Sequence, residues 1–238
     1  MNPIRGIHTL NEHIFDVIDT EEKAYWLGFL YADGYVYCSN NHYYCQLRMQ
    51  ARDKAHIELF KNFVQTSVDI EGGYTTVAIG TGSGKEHYSY RLTLSSKTLV
   101  DSLIRHGCVQ SKTLIVRFPS IESVPQNLVK HFIRGYFDGD GSICADIVKN
   151  GKTPTLLFQV CGTKDMLEHI AAAVGIDNKP KQRGNYYDLR CKGNIKAMNI
   201  FDYLYNGATI YLERKYKIYS ETKHQYQNSR PRTNSLKF

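Results

Sequence analysis

The fold is decided by two similar stretches, AYWLGFLYADG at residues 24–34 and FIRGYFDGDG at residues 132–141. Each is an apolar run that closes on an aspartate followed by a glycine. Small residues recur every fourth position in the first stretch, and Gly135 and Gly139 have the same spacing in the second. Residues four apart lie on one side of a helix, and small side chains there let two helix backbones approach closely. The two stretches therefore predict a pair of helices packed against each other.

Both predicted helices end in an acid, Asp33 in the first and Asp140 in the second. A carboxylate at a helix C-terminus faces the negative end of the helix dipole, which costs about 0.3–1 kcal/mol when it is exposed. Two such ends brought together repel each other more strongly unless a cation lies between them. Carboxylate oxygens suit Mg²⁺, which also takes water and phosphate oxygens as ligands. The pair therefore indicates a divalent-metal site, although Asp33 taken alone could simply end its helix and turn the chain.

The residues after each stretch repeat one order of elements: helix, two strands, helix, two strands, helix. Asp33 and Asp140 are 107 positions apart, and Gly107 and Gly207 are 100 apart, as expected for a duplicated module with loop insertions. We predict an α+β fold of two pseudo-symmetric αββαββα modules with antiparallel sheets. The predicted divisions are an N-terminal module at 1–112, a linker at 113–125, a C-terminal module at 126–222 and a basic polar tail at 223–238.

Polar and apolar side chains alternate along the predicted strands. Such a strand often only covers a core and leaves its other face to solvent, and this interpretation stays open for any single strand. The outer faces are nevertheless rich in groups that read base edges in the major groove, where arginine pairs with guanine and glutamine with adenine. Lysines would add phosphate contacts, which position the protein without reading sequence. The predicted DNA-contacting residues are Gln46, Arg48, Arg52, Ser89, Arg91, Thr93, Lys179, Lys181, Arg183, Tyr186, Asp188, Arg190 and Lys192.

Composition agrees with a nucleic-acid partner. The formal charge of +7 and the isoelectric point near 9.0 favour a polyanion. The sequence has no apolar run of membrane-spanning length and no signal-peptide apolar region, so we expect neither a membrane partner nor secretion. Six scattered cysteines without Cys-x-x-Cys spacing argue against structural zinc and against a disulfide framework. The expected location is the cytoplasm, or an organelle or nucleoid where the target DNA lies.

The two stretches resemble the paired LAGLIDADG motifs of the homing endonucleases. The matching positions are Gly28, Asp33 and Gly34 in the first copy and Gly135, Asp140 and Gly141 in the second. Trp26, Tyr31 and Arg134 depart from the letters of the motif, and Tyr31 stands where an aspartate is often found. The acid nearest the final glycine, which the family uses catalytically, is present in both copies.

This resemblance spans about residues 20–220 and implies an enzyme that cuts double-stranded DNA at a long, pseudo-symmetric site. It implies saddle-shaped sheets, long helices paired at the module interface, Mg²⁺ or alternatively Mn²⁺ as cofactor, and short 3′ overhangs. The implied site residues are Asp33, Asp140 and the main-chain carbonyls of Ala32 and Gly139 as metal ligands, Gln50 and Gln159 as residues that order water, and Lys112 and Lys215 acting on the scissile phosphate. Taken alone, the glutamines could be ordinary surface or base-contacting residues, and the lysines could be solvated.

Two other functions on the same fold stay open. A maturase would bind structured intron RNA instead of cutting DNA, and a non-catalytic regulator would only bind DNA. The presence of both acids favours cutting, and no added helix-turn-helix is visible in the sequence. We therefore expect a monomeric, Mg²⁺-dependent, site-specific DNA endonuclease.

Overall fold

The computed structural model describes residues 8–76, 86–110, 114–147 and 154–229. The chain divides into two compact units, Met1–Gly139 and Asp140–Phe238. The second long helix falls almost wholly within the first unit. The predicted module boundaries at 112 and 126 stay predictions. Among the described residues, no helix combines the length and the apolar character needed to cross a bilayer.

The first unit contains one four-stranded antiparallel sheet and four helices within its described residues. The elements are α1 (Glu21–Asp33), β1 (Gly34–Ser39), β2 (His42–Gln50), a 3₁₀ turn (Ala51–Asp53), α2 (Lys54–Phe63), β3 (Glu71–Thr76), β4 (Glu86–Leu94), α3 (Lys97–Arg105), a second 3₁₀ turn (Gln126–Leu128) and α4 (Val129–Asp140), of which the last residue belongs to the second unit. The strand order of the sheet is β1-β2-β4-β3, and α2 and α3 pack on β2.

Helix α1 begins at a polar cap and is then buried on all sides. The Thr20 side chain accepts a hydrogen bond from the Lys23 backbone N–H, which satisfies one of the amides that a helix start leaves without a partner. Every residue from 24 to 31 is buried. Trp26 has no exposed surface, and its ring lies 4.9 Å from the ring of Phe60 and 4.8 Å from that of His56 on α2. The helix is therefore the centre of the first unit's core.

The second unit repeats the arrangement of the first sheet. The elements are β5 (Gly141–Ile147), β6 (Pro154–Gly162), α5 (Lys164–Ala173), β7 (Lys181–Arg183), β8 (Tyr186–Lys192), α6 (Lys196–Tyr205) and α7 (Glu213–Ser229). The strand order is β5-β6-β8-β7, again antiparallel throughout, so the positions of the four strands match those of β1-β2-β4-β3. The predicted α+β fold with two duplicated four-stranded sheets is confirmed.

The last helix is longer than the sequence suggests. Helix α7 continues to Ser229, so the segment predicted as a tail from residue 223 begins as helix. Thr222 is buried, and the Lys223 amine contacts the Asp202 carboxylate at 2.8 Å and donates to the Tyr219 hydroxyl. These contacts hold the extra turns onto α6. The remainder of the predicted tail, 230–238, lies outside the described residues.

Candidate DNA-cleavage and DNA-reading site

The two long helices touch through their glycines. A Cβ atom placed on Gly28 would lie 2.0 Å from the backbone oxygen of Phe132, and one on Gly135 would lie 1.9 Å from the backbone oxygen of Tyr25. Both distances are far shorter than any real Cβ contact, so neither position accepts a side chain without moving a backbone. The spacing of small residues thus produces the close helix pair that it predicts.

The C-terminal end of α1 is as closely packed. A Cβ on Gly139 would lie 2.3 Å from the Ala32 Cβ and 3.4 Å from an oxygen of the Asp33 carboxylate. The absence of a side chain at Gly139 therefore lets the backbone of α4 approach Asp33 directly. Asp33 itself is exposed. This part of the first unit presents a solvent-accessible carboxylate beside the main chain of residue 139, which are two of the donors that the sequence predicts for a metal.

In the second unit, the end of α4 meets a buried lysine. Asp140 is exposed, and the backbone oxygen of the next residue, Gly141, accepts a hydrogen bond of 2.5 Å from the Lys215 amine. The Lys215 side chain is only 1% exposed, because α7 packs along β5. The alternative that Lys215 is a solvated surface lysine is therefore wrong. The structure thus places the Lys215 amine against the backbone of Gly141, the residue that follows the predicted acid Asp140.

Gln159 belongs to the same neighbourhood. Burial raises the pKa of the Cys161 thiol, a hydrogen bond with Gln159 lowers it, and the charges of Asp188 and Asp140 raise it further. Gln159 and the charge of Asp140 therefore both act on the Cys161 thiol. Gln159 lies on β6 directly opposite Arg190 on β8. In the first unit Gln50 occupies the exposed end of β2, opposite Ser89. The predicted Lys112 lies outside the described residues.

The donors at the helix ends suit a hard divalent cation. Both acids are exposed, and carboxylate and carbonyl oxygens are the ligands that Mg²⁺ prefers, usually with water and substrate phosphates completing the shell. Among the described residues, no group of three or more His, Cys, Asp and Glu side chains gathers in a way that could hold a metal by itself. A Mg²⁺ ion held by so few protein oxygens would complete its coordination shell with water and phosphate oxygens.

The outer face of the first sheet carries several of the predicted DNA-contacting residues side by side. In the β2–β4 register, Arg48 lies opposite Arg91 and Gln46 opposite Thr93. The Gln46 amide donates to the Thr93 hydroxyl at 2.9 Å, and the Arg91 guanidinium contacts the Glu71 carboxylate of β3 at 2.6 Å. Because directly opposed residues share a face, these side chains form one polar surface.

One of the predicted DNA-contacting residues, Arg52, does not lie on this sheet. Strand β2 ends at Gln50, and Arg52 occupies the 3₁₀ turn that leads into α2. Arg52 therefore does not lie on the outer face of a strand, where the sequence predicts it. Its guanidinium lies 3.9 Å from the buried Asp53 carboxylate, and the Arg52 side chain is 63% exposed.

The same face carries three tyrosines that were not among the predicted readers. Tyr35 and Tyr37 on β1 and Tyr44 on β2 form a ring cluster, with the Tyr37 and Tyr44 centroids 5.0 Å apart and nearly parallel. Tyr35 and Tyr44 flank Gln46, which pairs with Tyr35 in the register. The alternation of tyrosine at 35 and 37 is the signal that could have identified them. Their rings add flat apolar surface next to the polar readers.

The outer face of the second sheet is more strongly charged. Tyr186, Arg190 and Lys192 on β8 are exposed, as are Lys181 and Arg183 on β7 and Lys179 in the preceding loop. Asp188 differs from this set, because its carboxylate is only 2% exposed and lies under the Arg183 and Arg190 side chains. It shares the predicted face but does not present a free carboxylate to solvent.

Comparison with solved structures identifies the fold. The DNA-bound I-LtrWI LAGLIDADG homing endonuclease is 13% identical, with a TM-score of 0.57 over 92% of this chain and 92% of its own. The LAGLIDADG homing endonuclease I-GzeII in complex with its DNA target is 15% identical, with a TM-score of 0.55 over 89% and 93%. The LAGLIDADG meganuclease I-AabMI, bound to uncleaved DNA, is 14% identical, with a TM-score of 0.51 over 86% and 91%.

No protein-family model and no curated protein sequence matches the chain. The likeness rests on structure, and it extends over most of both chains in each comparison. It agrees with the helix pair joined at its glycines, the two terminal acids and the duplicated strand order. The chain therefore has the fold of the LAGLIDADG homing endonucleases.

Proposed function

We propose that this protein is a site-specific double-strand DNA endonuclease that acts as a monomer with Mg²⁺ and leaves short 3′ overhangs. The observation that carries the proposal is the placement of an exposed aspartate at the end of each of two helices that are joined at their glycines. Two acids supplied by one chain suit the hydrolysis of two strands. The DNA-bound homing endonucleases that share the fold support the choice of substrate.

The chain's own residues have separate tasks in this proposal. Asp33 and Asp140, with the main-chain oxygens of Ala32 and Gly139, would hold divalent metal against the scissile phosphates. Bound metal supplies an activated water nucleophile and stabilises the leaving oxygen. Gln50 and Gln159 would position water near the two acids.

Lys215 has a different task. Its amine is buried against the backbone oxygen of Gly141, the residue that follows Asp140. A positive charge at this buried position is weakly screened. We assign it to stabilise the charge that develops on the phosphate. Lys112 is the corresponding candidate in the first half.

Recognition is assigned to the outer faces of the two sheets. Arginine and glutamine side chains on these faces match the groups that read base edges in the major groove, which admits a β-ribbon. Exposed lysines of the second sheet would contact phosphates and make binding depend on salt.

The test begins with digestion of a randomised duplex library in Mg²⁺, in Ca²⁺ and in EDTA, followed by sequencing of the cut ends. We expect a single long site cut on both strands in Mg²⁺ only. Asp33→Asn and Asp140→Asn should each abolish double-strand cutting and leave binding of that site largely intact. Asp69→Asn and Asp177→Asn neutralise exposed acids in the two units and serve as matched controls with full activity.

Undiminished cutting by both helix-end variants would overturn the proposal. Binding of RNA in preference to the duplex library, without cutting, would instead indicate a maturase.

A further inference from the structure

One carboxylate on the outer face of the second sheet is covered by two arginines. A single oxygen of Asp188 lies 2.8 Å from Nε of Arg190 and 3.3 Å from Nε of Arg183. The acid is 2% exposed, whereas the two arginine side chains are 50% and 51% exposed. The cluster therefore has a buried anion below and two half-exposed cations above.

The chemistry of the guanidinium group gives this arrangement a use. Each guanidinium carries five N–H donors, one on Nε and four on the two Nη nitrogens. Nε is the nitrogen of each arginine that lies against Asp188, so this contact does not use the four Nη hydrogens. Arg183 donates a hydrogen bond from Nε to this carboxylate, and the ion pair of Arg190 holds its Nε 2.8 Å from the same oxygen. Both contacts restrict where the planar guanidinium groups point. An arginine held in this way loses less freedom on binding than one that moves freely in solvent.

The strand register places both arginines on the outer face of the second sheet, which is predicted to contact DNA. Arg190 lies opposite Gln159, and Arg183 lies opposite Tyr186, at the edge of the same sheet. Arginine forks pair with O6 and N7 of guanine in the major groove. Asp188 itself is too deeply covered to accept a hydrogen bond from a base. The sequence predicts Asp188 as a direct contact, and its burial argues for a supporting task instead.

We propose that Asp188 is a positioning residue that holds Arg183 and Arg190 ready to read guanines in one half of the target site. This inference rests on the proposed function, since it needs a sequence-specific duplex as ligand. It adds the chemical class of the base pairs that the second sheet selects, namely G·C pairs at one or two neighbouring positions.

The first sheet offers a matched control. There Arg91 contacts Glu71 through Nε at 2.7 Å and through Nη2 at 2.6 Å, but this acid is 62% exposed, whereas Asp188 is buried. An exposed pair of this kind orients its arginine weakly, because water competes for both partners. Glu71→Gln should therefore leave the base preference opposite Arg91 almost unchanged, whereas Asp188→Asn should alter base preference at the positions of Arg183 and Arg190.

The experiment is selection of bound duplexes from a randomised library in Ca²⁺, with sequencing of the bound fraction. The proteins compared are the wild type, Asp188→Asn, Arg190→Gln, Arg183→Gln and Glu71→Gln. We expect Arg190→Gln and Arg183→Gln each to lose a guanine preference at one position, by about tenfold. Asp188→Asn should weaken the same preferences and no others, while Glu71→Gln keeps the wild-type profile.

A structural role alone would give a different result. If Asp188→Asn lowered affinity for every sequence by the same factor, or kept every preference intact, the inference would be overturned. It would also fail if Arg190→Gln weakened binding uniformly and lowered the salt slope by about one, since that is the behaviour of a phosphate contact. Asp188→Glu retains the charge and displaces the forks, so it tests the same positions should Asp188→Asn fail to fold.

Failure of the proposed function is distinguishable from failure of this inference. If the wild-type protein selects no duplex and cuts none, both the proposed function and the positioning role of Asp188 are overturned. A wild type that selects and cuts a site while Asp188→Asn selects it with the same stringency removes only the positioning role.

Discussion

Helices α1 and α4 carry a glycine and a terminal aspartate at matching positions, yet they bury different chemistry. Residues 24–31 of α1 are all buried, and the polar atoms among their side chains are two tyrosine hydroxyls and the Trp26 indole N–H. Helix α4 instead buries Arg134, Asp138 and His131. The glycines that touch the opposite backbone are present in both copies. Duplication has thus kept the backbone contact and the terminal acid, and it has left the rest of each helix free to differ.

The charged groups of α4 are matched by partners on α1 and α2. Arg134 is 1% exposed and contacts the Glu21 carboxylate at 2.7 Å. Asp138 accepts a 2.9 Å hydrogen bond from the Tyr25 hydroxyl, which also lies 2.9 Å from Nε2 of His56. A buried charge is tolerated when it is paired and hydrogen-bonded. The two helices therefore form one polar network. Helix α4 contributes the charged residues Arg134 and Asp138, and α1 contributes Glu21.

The largest expected effect tests the part that the helices share. Gly28→Ala and Gly135→Ala each force a methyl group into a backbone oxygen, so we expect each to destabilise the protein by about 3 kcal/mol or more. Chemical denaturation measures the loss. Gly73→Ala is the control, because a Cβ there meets nothing within 4 Å, and we expect it to change stability by less than about 0.5 kcal/mol. A mild effect at one of the two helix glycines would show that α1 and α4 are not equivalent.

The next effect concerns the lysines assigned to the two helix ends. Lys215→Met removes the buried ammonium beside Gly141 and should lower the rate of DNA cleavage about 100-fold, with DNA affinity largely retained. Lys217→Met changes an exposed lysine of the same helix and should leave the cleavage rate unaltered. Lys112→Met completes the comparison, since an equal loss of rate would show that the two helix ends work alike. Normal cleavage by Lys215→Met would remove this residue from the site.

The smallest effect tests the polar side of α4. Burial, assisted by the Arg134 charge, lowers the pKa of His131 from 6.5 to about 4 although Glu21 opposes the shift. His131 is then neutral in the folded protein and protonated in the unfolded chain between these values, so the unfolded state binds more protons. The free energy of unfolding must fall as the pH drops through this window.

We expect this histidine to account for a loss on the order of 1 kcal/mol between pH 7 and pH 5. His131→Gln should flatten the dependence of unfolding free energy on pH, measured by urea denaturation at several pH values. His87→Gln replaces an exposed histidine of β4 and should leave the slope as it is. A steeper slope in His131→Gln would contradict the assignment. Burial also lowers the pKa of His106, so part of the slope should persist.

Much of this architecture is readable from local pattern. The predicted alternation of polar and apolar side chains is present along β8, and the alternation along β2 and β4 places Arg48 and Arg91 on one face. Period and small-residue spacing carry these predictions, because they depend on neighbours within a few positions. The helix pair is predicted by the same local signal.

Other features depend on partners far away in the chain. Arg134 is a charged residue within an apolar motif, and its partner Glu21 lies 113 positions earlier in the chain. Asp188 looks like an outward-facing polar residue, and only the placement of two arginines covers it. Lys215 looks like one more lysine of a polar helix, although α7 buries it against β5. Burial of a charged side chain cannot be read from its own neighbours in sequence.

The position of Trp26 gives the protein a built-in spectroscopic probe. It is the single tryptophan of the chain and is fully enclosed by the aromatic rings of α1 and α2. Its fluorescence therefore reports the melting of the first unit alone, while far-ultraviolet circular dichroism averages over both. Superimposable curves from the two signals would mean that the units unfold in one cooperative step, and separated midpoints would reveal an intermediate with one half intact.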